Sequence, residues 1–381
     1  MASALLLALA VSGAAAIESW DAALYLHSDA TAARLNAYCL DGSKGGFYFR
    51  PASSPSASTK WKFHFMGGGW CDSPVSCYER SQSLLGSSTF WTPTLSQLWK
   101  PEGAGFYGLM GANDTSINPF GEWNFAWFAY CDGSSQMSDN SAPILYNNTR
   151  LHMRGRALLD AHLAELEAQH GFLSTATEVI VSGTSAGGQS TYMHSSFIKS
   201  QLRVPGARLV AVPDAGWWWS TRSYASADAH PFLDMITRAM PMWNATLRGG
   251  SGRCLDSPPF GNRNLCFVQP YNYAYGMADV EAFVVQSLVD PANLGICYAM
   301  PCSLSGSTAG SCSAGEVAAI LAFSHALKAN ITAAQGAFGA RDGRFFDSCS
   351  FHEQTCRAMD WYGVRVAGAT MNSTFYSASR P

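Results

Sequence analysis

Val179-Ile180-Val181-Ser182-Gly183-Thr184-Ser185-Ala186-Gly187-Gly188 is a β-branched apolar run that breaks into small residues around one serine. Such a run reads as a buried strand. The Gly-x-Ser-x-Gly that ends it is the sharp strand-to-helix turn that lifts a serine hydroxyl above a parallel sheet. Gly183 and Gly187 fit because that turn leaves no room for side chains on either side of the serine. Ser185 is the expected nucleophile, and an α/β architecture is the expected frame.

Outward from this stretch the pattern continues. Thr149 to His170 carries Leu151, Leu158, Leu159, Leu163 and Leu166 among charges, with Gly171 as a stop, and predicts a surface amphipathic helix. Gln189 to Leu202 reads as the helix launched by the turn, and Arg208 to Val212 as the next parallel strand. Alternating strand and helix favours a mostly parallel sheet covered on both faces. Asp214-Ala215-Gly216-Trp217-Trp218-Trp219 follows at a strand's carboxyl end, where open α/β sheets bind ligands. Upstream, Trp61 to Met66 reads as a strand running into Gly67-Gly68-Gly69-Trp70-Cys71, and Phe125 to Tyr130 as another. Tyr78 to Phe128 otherwise predicts loops and short helices. Residues 220–275 read as an inserted cap, Ala282 to Asp290 as a returning strand, and Gly315 to Lys328 as a helix.

The chain has 381 residues, 48% of them hydrophobic and 13% charged, with a net charge of -3. That composition supports a large core and gives no electrostatic pull toward nucleic acid. No linker divides it, so residues 17–381 are expected to form one domain. Ala2 to Val11 is apolar, and Ala14-Ala15-Ala16 offers a cleavage site before Ile17, so residues 1–16 read as a secretory signal peptide. No other segment reads as long and apolar enough to span a bilayer. Eleven cysteines without Cys-x-x-Cys spacing indicate an oxidising compartment and no zinc site, with one thiol left over from pairing. Sequons at Asn113, Asn147, Asn244, Asn330 and Asn372 fit a glycosylating, extracellular route.

A serine hydroxyl needs an imidazole to take its proton and a carboxylate to hold that imidazole. In α/β-hydrolases these arrive in the order Ser, acid, His. Asp290 after an apolar strand suits the acid, although Asp before Pro291 is equally a turn or helix-cap former, and Asp214 competes from the end of an earlier strand. His352 suits the base ahead of His325 and His230, because Cys349 and Cys356 flank it and are placed to clamp its loop. Preset N–H donors must receive the developing oxyanion. Ala186 supplies the one after the nucleophile, and Gly67-Gly68-Gly69-Trp70 resembles a glycine-rich oxyanion loop. The serine precedes the acid and the base, which sets aside the order of subtilisin-like proteases.

Gly67-Gly68-Gly69-Trp70-Cys71 with Cys77, Glu79-Arg80-Ser81, Leu85-Gly86-Ser87-Ser88, Tyr130-Cys131-Asp132-Gly133-Ser134-Ser135, Gly183 to Gly188, Pro213-Asp214-Ala215-Gly216, and the surroundings of Asp290 and His352 together resemble the pectin acetylesterase and Notum carboxylesterase family. The resemblance runs from about Cys39 to Cys356. It implies an α/β-hydrolase-like fold, Ser185 as nucleophile, Asp290 rather than Asp214 as acid, and His352 as base. It also implies oxyanion donors at Gly69, Trp70 and Ala186, and a Cys71–Cys77 disulfide pinning their loop. Thr184 stands where plant members usually carry Cys, and the cap diverges most.

The expected activity is a secreted serine carboxylesterase, without cofactor or metal, that removes a short acyl group, acetyl foremost, from an acylated cell-wall or matrix polysaccharide such as pectin. One alternative is a deacylase of lipidated protein, with Trp217, Trp218, Trp219, Phe106, Trp123 and Phe125 lining an apolar pocket; core packing is the plainer use of those rings. The other is a catalytically inactive glycan-binding relative.

Overall fold

Aromatic and β-branched runs make the strands of this chain, whose computed structural model describes residues 21–98, 108–112, 118–304, 311–338, 342–357 and 359–378. The strands are β1 (Ala23–Leu26), β2 (Gly46–Arg50), β3 (Lys60–Phe65), β4 (Asn124–Phe128), β5 (Ile144–Tyr146), β6 (Thr149–Leu151), β7 (Glu178–Thr184), β8 (Arg208–Asp214), β9 (Glu281–Ser287) and β10 (Gly343–Asp347). Eight form one sheet in the order β1-β2-β4-β3-β7-β8-β9-β10. From β4 to β10 every neighbouring pair is parallel, while β1 and β2 add an antiparallel edge.

Alternate side chains of each strand enter two cores. Trp61, Phe63, Val179, Val181, Leu209 and Val284 meet the helices Gly155–His170, Ala186–Gln201 and Ala314–Phe338 on one face. Phe125, Trp127, Ile180, Val210, Phe283 and Phe345 pack on the other against Met110, Trp361 and Phe375. With both faces covered, the strands read as near-continuous apolar runs rather than alternating ones. The chain leaves β3 toward β4 on one side and returns as β7 on the other. The carboxyl ends of β3 and β7 therefore flank a topological switch point, where such sheets bind ligands.

Several expectations are corrected. The helix read over Thr149 to His170 begins at Gly155, because Thr149–Leu151 pairs with β5 across Asn147-Asn148. Both asparagines are left-handed, as a tight hairpin turn requires. Nor is that helix a solvated surface element, since Arg156, His162 and Glu165 are buried. His162 lies 2.9 Å from His27, and Glu165 accepts from the backbone and hydroxyl of Ser28. The helix read at Gly315 to Lys328 runs from Ala314 to Phe338, and by length and composition it alone among the described helices could cross a membrane. Its Ile320, Phe323, Leu327 and Ile331 are spent on the core.

Residues 220–275 lie between β8 and β9 as the helices Pro231–Trp243, Gly249–Asp256 and Tyr271–Gly276 with intervening turns. Disulfides join Cys39–Cys131, Cys71–Cys77, Cys254–Cys266 and Cys302–Cys312. Three thiols remain, not one: Cys297, Cys349 and Cys356. The signal peptide, Asn113 and Phe106 lie outside the described residues, as does the side chain of Asn372. Asn147 is exposed at its hairpin turn and Asn244 at the end of the Pro231–Trp243 helix, while Asn330 is half-buried.

Candidate active site

Ser185 joins β7 to the Ala186–Gln201 helix with φ 56° and ψ -122°, a left-handed backbone that only strong surrounding packing sustains. That packing is backbone on backbone. A Cβ on Gly183 would stand 2.2 Å from Gly187 O, and one on Gly187 would stand 2.0 Å from Phe65 O. Gly188 and Gly216 face each other in the same way, each too close for the other to carry a side chain. The helix consequently starts hard against the sheet, with Ser185 at its positive end. Trp218 Nε1 donates to Ser185 O at 3.0 Å, and Ser185 N donates to Asp214 O at 3.0 Å.

Asp290 follows β9 and is fully buried. Its Oδ1 accepts from the N–H groups of Ala292 and Asn293 at 2.8 and 3.3 Å, capping the Pro291–Tyr298 helix. The same carboxylate meets His352 Nδ1 at 3.0 and 2.9 Å. The residue that caps this helix is thus also the one whose carboxylate holds the His352 ring. A carboxylate only accepts, so Nδ1 of His352 carries the proton and Nε2 is left as the basic nitrogen. Burial pulls the His352 pKa down, but the hydrogen bond and charge of Asp290, with the charges of Glu353 and Asp214, outweigh it and hold the imidazole above its ordinary value. His325 is exposed on the long helix, and His230 meets Ser220 Oγ at 3.1 Å.

Asp214, the competing acid, has another use. Its Oδ2 accepts from Gln354 N at 2.5 Å, Thr355 N at 2.6 Å and Thr355 Oγ1 at 2.9 Å, clasping the loop that carries His352. Complete burial raises its pKa to about 7 against the pull of those donors. This clasp stands where a cysteine clamp was expected: Cys349 and Cys356 remain thiols and are not joined. Cys356 instead points beneath the sheet, its Sγ 3.5 Å from His64 Nε2. The near side of the loop is tied by Cys349 N to Asp347 Oδ1 at 2.8 Å and by Ser287 Oγ to Cys349 O.

The Gly67–Cys71 loop leaves β3 beside the elbow, and three of its five carbonyls are engaged from outside. Arg80 takes Gly68 O at 2.8 Å, the Tyr130 hydroxyl takes Gly69 O at 2.8 Å, and Trp243 Nε1 takes Cys71 O at 3.0 Å. Cys71 is bonded to Cys77, and its N–H donates to Gly133 O. Trp70 Nε1 donates to Ser135 Oγ at 2.8 Å, which donates in turn to Ala186 O. Among the described residues nothing accepts from the backbone N–H groups of Gly69 and Trp70. The Ala186 N–H belongs to the first helical turn, whose donors lack intrahelical partners. Arg80, Tyr130 and Ser135 do this positioning, and only the neighbourhood of their motifs hinted at it.

Glu353 carries no sequence motif that marks it as part of the site. It takes a left-handed φ of 71° and places its carboxyl beside Gly67 at the elbow, where the Thr184 side chain favours its charged form against burial. A Cβ on Gly67 would lie 2.8 Å from its Oε1 and 3.0 Å from Ser185 Cβ. Burial raises its pKa. Thr184, the departure noted in the sequence, thus bears on the charge of Glu353.

The aromatic residues divide by position. Trp218 and Phe232, both fully buried, form a cluster with Trp70 at ring distances of 5.0–5.8 Å, and Trp218 also faces the His352 ring at 6.0 Å. Trp217 packs on Tyr192 and Tyr273, and Trp219 on Phe323, in the core. Trp123 and Phe125 sit at the amino end of β4, away from the serine. The five of those rings that lie among the described residues are therefore not gathered into one pocket, and most of them serve core packing, their plainer use. A cavity of about 710 Å³ lies instead between the cap and the long helix. Among the described residues no cluster of His, Cys, Asp or Glu is placed to hold a metal ion.

The sequence model of the family described as Pectinacetylesterase matches residues 19–378. Pectin acetylesterase 11 of Arabidopsis thaliana is 27% identical over 380 residues, covering 98% of this chain and 88% of the relative. Pectin acetylesterase 5 of the same plant is 27% identical over 338 residues, covering 86% and 73%. Palmitoleoyl-protein carboxylesterase NOTUM of Schmidtea mediterranea is 28% identical over 270 residues, 68% of this chain and 47% of that protein. A solved structure of the Wnt deacylase Notum from Drosophila superposes with a TM-score of 0.74 at 20% identity, over 94% of this chain and 92% of that one, which shows the same α/β-hydrolase-like fold. With a match running across nearly the whole chain, this protein belongs to the pectinacetylesterase family.

Proposed function

We propose that this carboxylic-ester hydrolase removes acetyl or similarly short acyl groups from a cell-wall or matrix polysaccharide, with Ser185 as nucleophile. His352 Nε2 takes the Ser185 proton as the hydroxyl attacks the ester carbonyl. The N–H groups of Gly69, Trp70 and Ala186 receive the oxyanion, and Asp290 holds the imidazolium through Nδ1. Collapse breaks the bond to the sugar oxygen, which leaves with the proton from His352. Water then attacks the acyl-enzyme by the same route and releases the carboxylic acid.

The observation that carries the short-acyl reading is the packing of Trp218 and Phe232 beside Ser185, where a long acyl chain would need an apolar channel. The plant relatives' names supply the polysaccharide. Four disulfides and the leader-like start support a secreted protein. Rates on nitrophenyl esters from acetate to octanoate should peak at acetate or propionate; a peak at octanoate would overturn the acyl assignment. A fluorophosphonate should label Ser185, and Ser185→Ala should lose both the label and acetate release from acetylated pectin.

A further inference from the structure

The cavity between the cap and the long helix is lined by Pro259, Phe260, Tyr271 and Tyr275 on one side and by Asn330 and Ala333 on the other. It is an apolar groove. Phe260 stands at its edge with φ 51° and is 90% exposed, meeting Tyr271 edge-on at 6.3 Å. Contiguous apolar surface of this kind is rarely left bare on a soluble protein.

Asn330 begins the sequon Asn330-Ile331-Thr332 and lies on the groove wall. Its Oδ1 accepts from the indole N–H of buried Trp217 at 2.9 Å. An indole nitrogen only donates, so this contact assigns the amide: oxygen toward the core. Nδ2 then points away from the core, and among the described residues no hydrogen bond engages it. A glycosidic bond at Nδ2 leaves the amide oxygen an acceptor, so modification and the Trp217 contact are compatible. Asn147 and Asn244, by contrast, stand exposed at a hairpin turn and a helix end.

We propose that Asn330 carries an N-linked glycan whose first sugars lie in this groove and cover Phe260 and Tyr271, so that the glycan completes the packing of the cap against the long helix. The apolar faces of pyranose rings stack on aromatic side chains, and the amide is held in advance by Trp217. The inference rests on the secretory route proposed above.

The test uses protein secreted from a glycosylating eukaryotic host, with site occupancy read by peptide mass mapping. Thr332→Ala removes the acceptor signal while keeping the Asn330–Trp217 contact; Thr149→Ala does the same for Asn147. The glycan is expected on Asn330. Thr332→Ala should unfold several degrees lower and bind several-fold more of an apolar-surface dye, whereas Thr149→Ala should match the parent. Asn147 and Asn244 occupied with Asn330 bare would overturn the inference and leave the secretory reading standing. All three bare would overturn both. An occupied Asn330 whose loss moves neither readout would make the glycan a decoration and also overturn it. If Thr332→Ala fails to fold, glycosidase trimming of the parent decides: amide exchange over residues 259–275 should quicken, and unchanged exchange refutes the packing role.

Discussion

The Gly67–Cys71 loop and the loop from Cys349 to Cys356 reach the same serine but are held by different kinds of bond. The first is fixed by a disulfide, two indole N–H groups, a phenol and a guanidinium. The second is fixed by hydrogen bonds to carboxylates, Asp214 above all. Burial drives the Tyr130 phenol far above its usual pKa but brings Asp214 to about 7. The difference teaches that a carboxylate able to titrate near neutrality grips the loop bearing His352, while the bonds made directly to the Gly67–Cys71 loop come from groups that keep their protonation state there.

The hardest blow to the second loop is Asp214→Ala, which strands two buried backbone N–H groups and a hydroxyl. It should cost about 4 kcal/mol of stability and lower kcat more than a hundred-fold, read by thermal unfolding and ester turnover. A smaller effect sharpens the contrast through pH. The folded pKa of Asp214 lies above the unfolded value, so the native state binds the extra proton and the wild type loses stability as pH rises from about 4 to about 7. Measured against Asp214→Asn, which cannot titrate, that loss should be on the order of 3 kcal/mol and flat above pH 8. A difference that does not vary with pH would contradict the assigned role.

In the Gly67–Cys71 loop, replacing both Cys71 and Cys77 by Ala opens a short covalent loop and should cost about 2 kcal/mol, equally at every pH from 5 to 8. Tyr130→Phe removes the hydroxyl that links Ser135 N and Gly69 O. It should cost about 1 kcal/mol and lower kcat roughly ten-fold, with KM unchanged, because the donors it steadies are the ones proposed to receive the oxyanion. A pH-dependent penalty in either variant would erase the distinction between the two loops.

What could be read in advance follows from range. The elbow was legible because strand, glycines and serine are contiguous, and the Gly67–Cys71 loop because its glycines cluster. Asp290 and Asp214 were not separable on their own residues, since each ends a strand; which loop folds over which carboxylate is a long-range fact. Cys349 and Cys356 are close in sequence, yet Cys356 turns under the sheet toward His64. β10 escaped notice because Gly343 to Asp347 is short and half polar. Trp123 and Phe125 take the plainer core role, and the pocket alternative stayed open for them only because a strand's composition does not say which end of the sheet it occupies. Glu353 carries no motif, only a backbone turn visible in three dimensions.

The facing pair Gly188 and Gly216 sets the terms on which this site can vary. Because helix and sheet meet there without intervening side chains, any residue larger than glycine at either position would push the helix, and with it Ser185, off its seat. Selection for new acyl preference therefore has little freedom along the elbow and most at Phe232, which reaches the serine's surroundings from the cap. A library drawn on the cap can be diverse, and one drawn on the elbow will consist mostly of inactive clones.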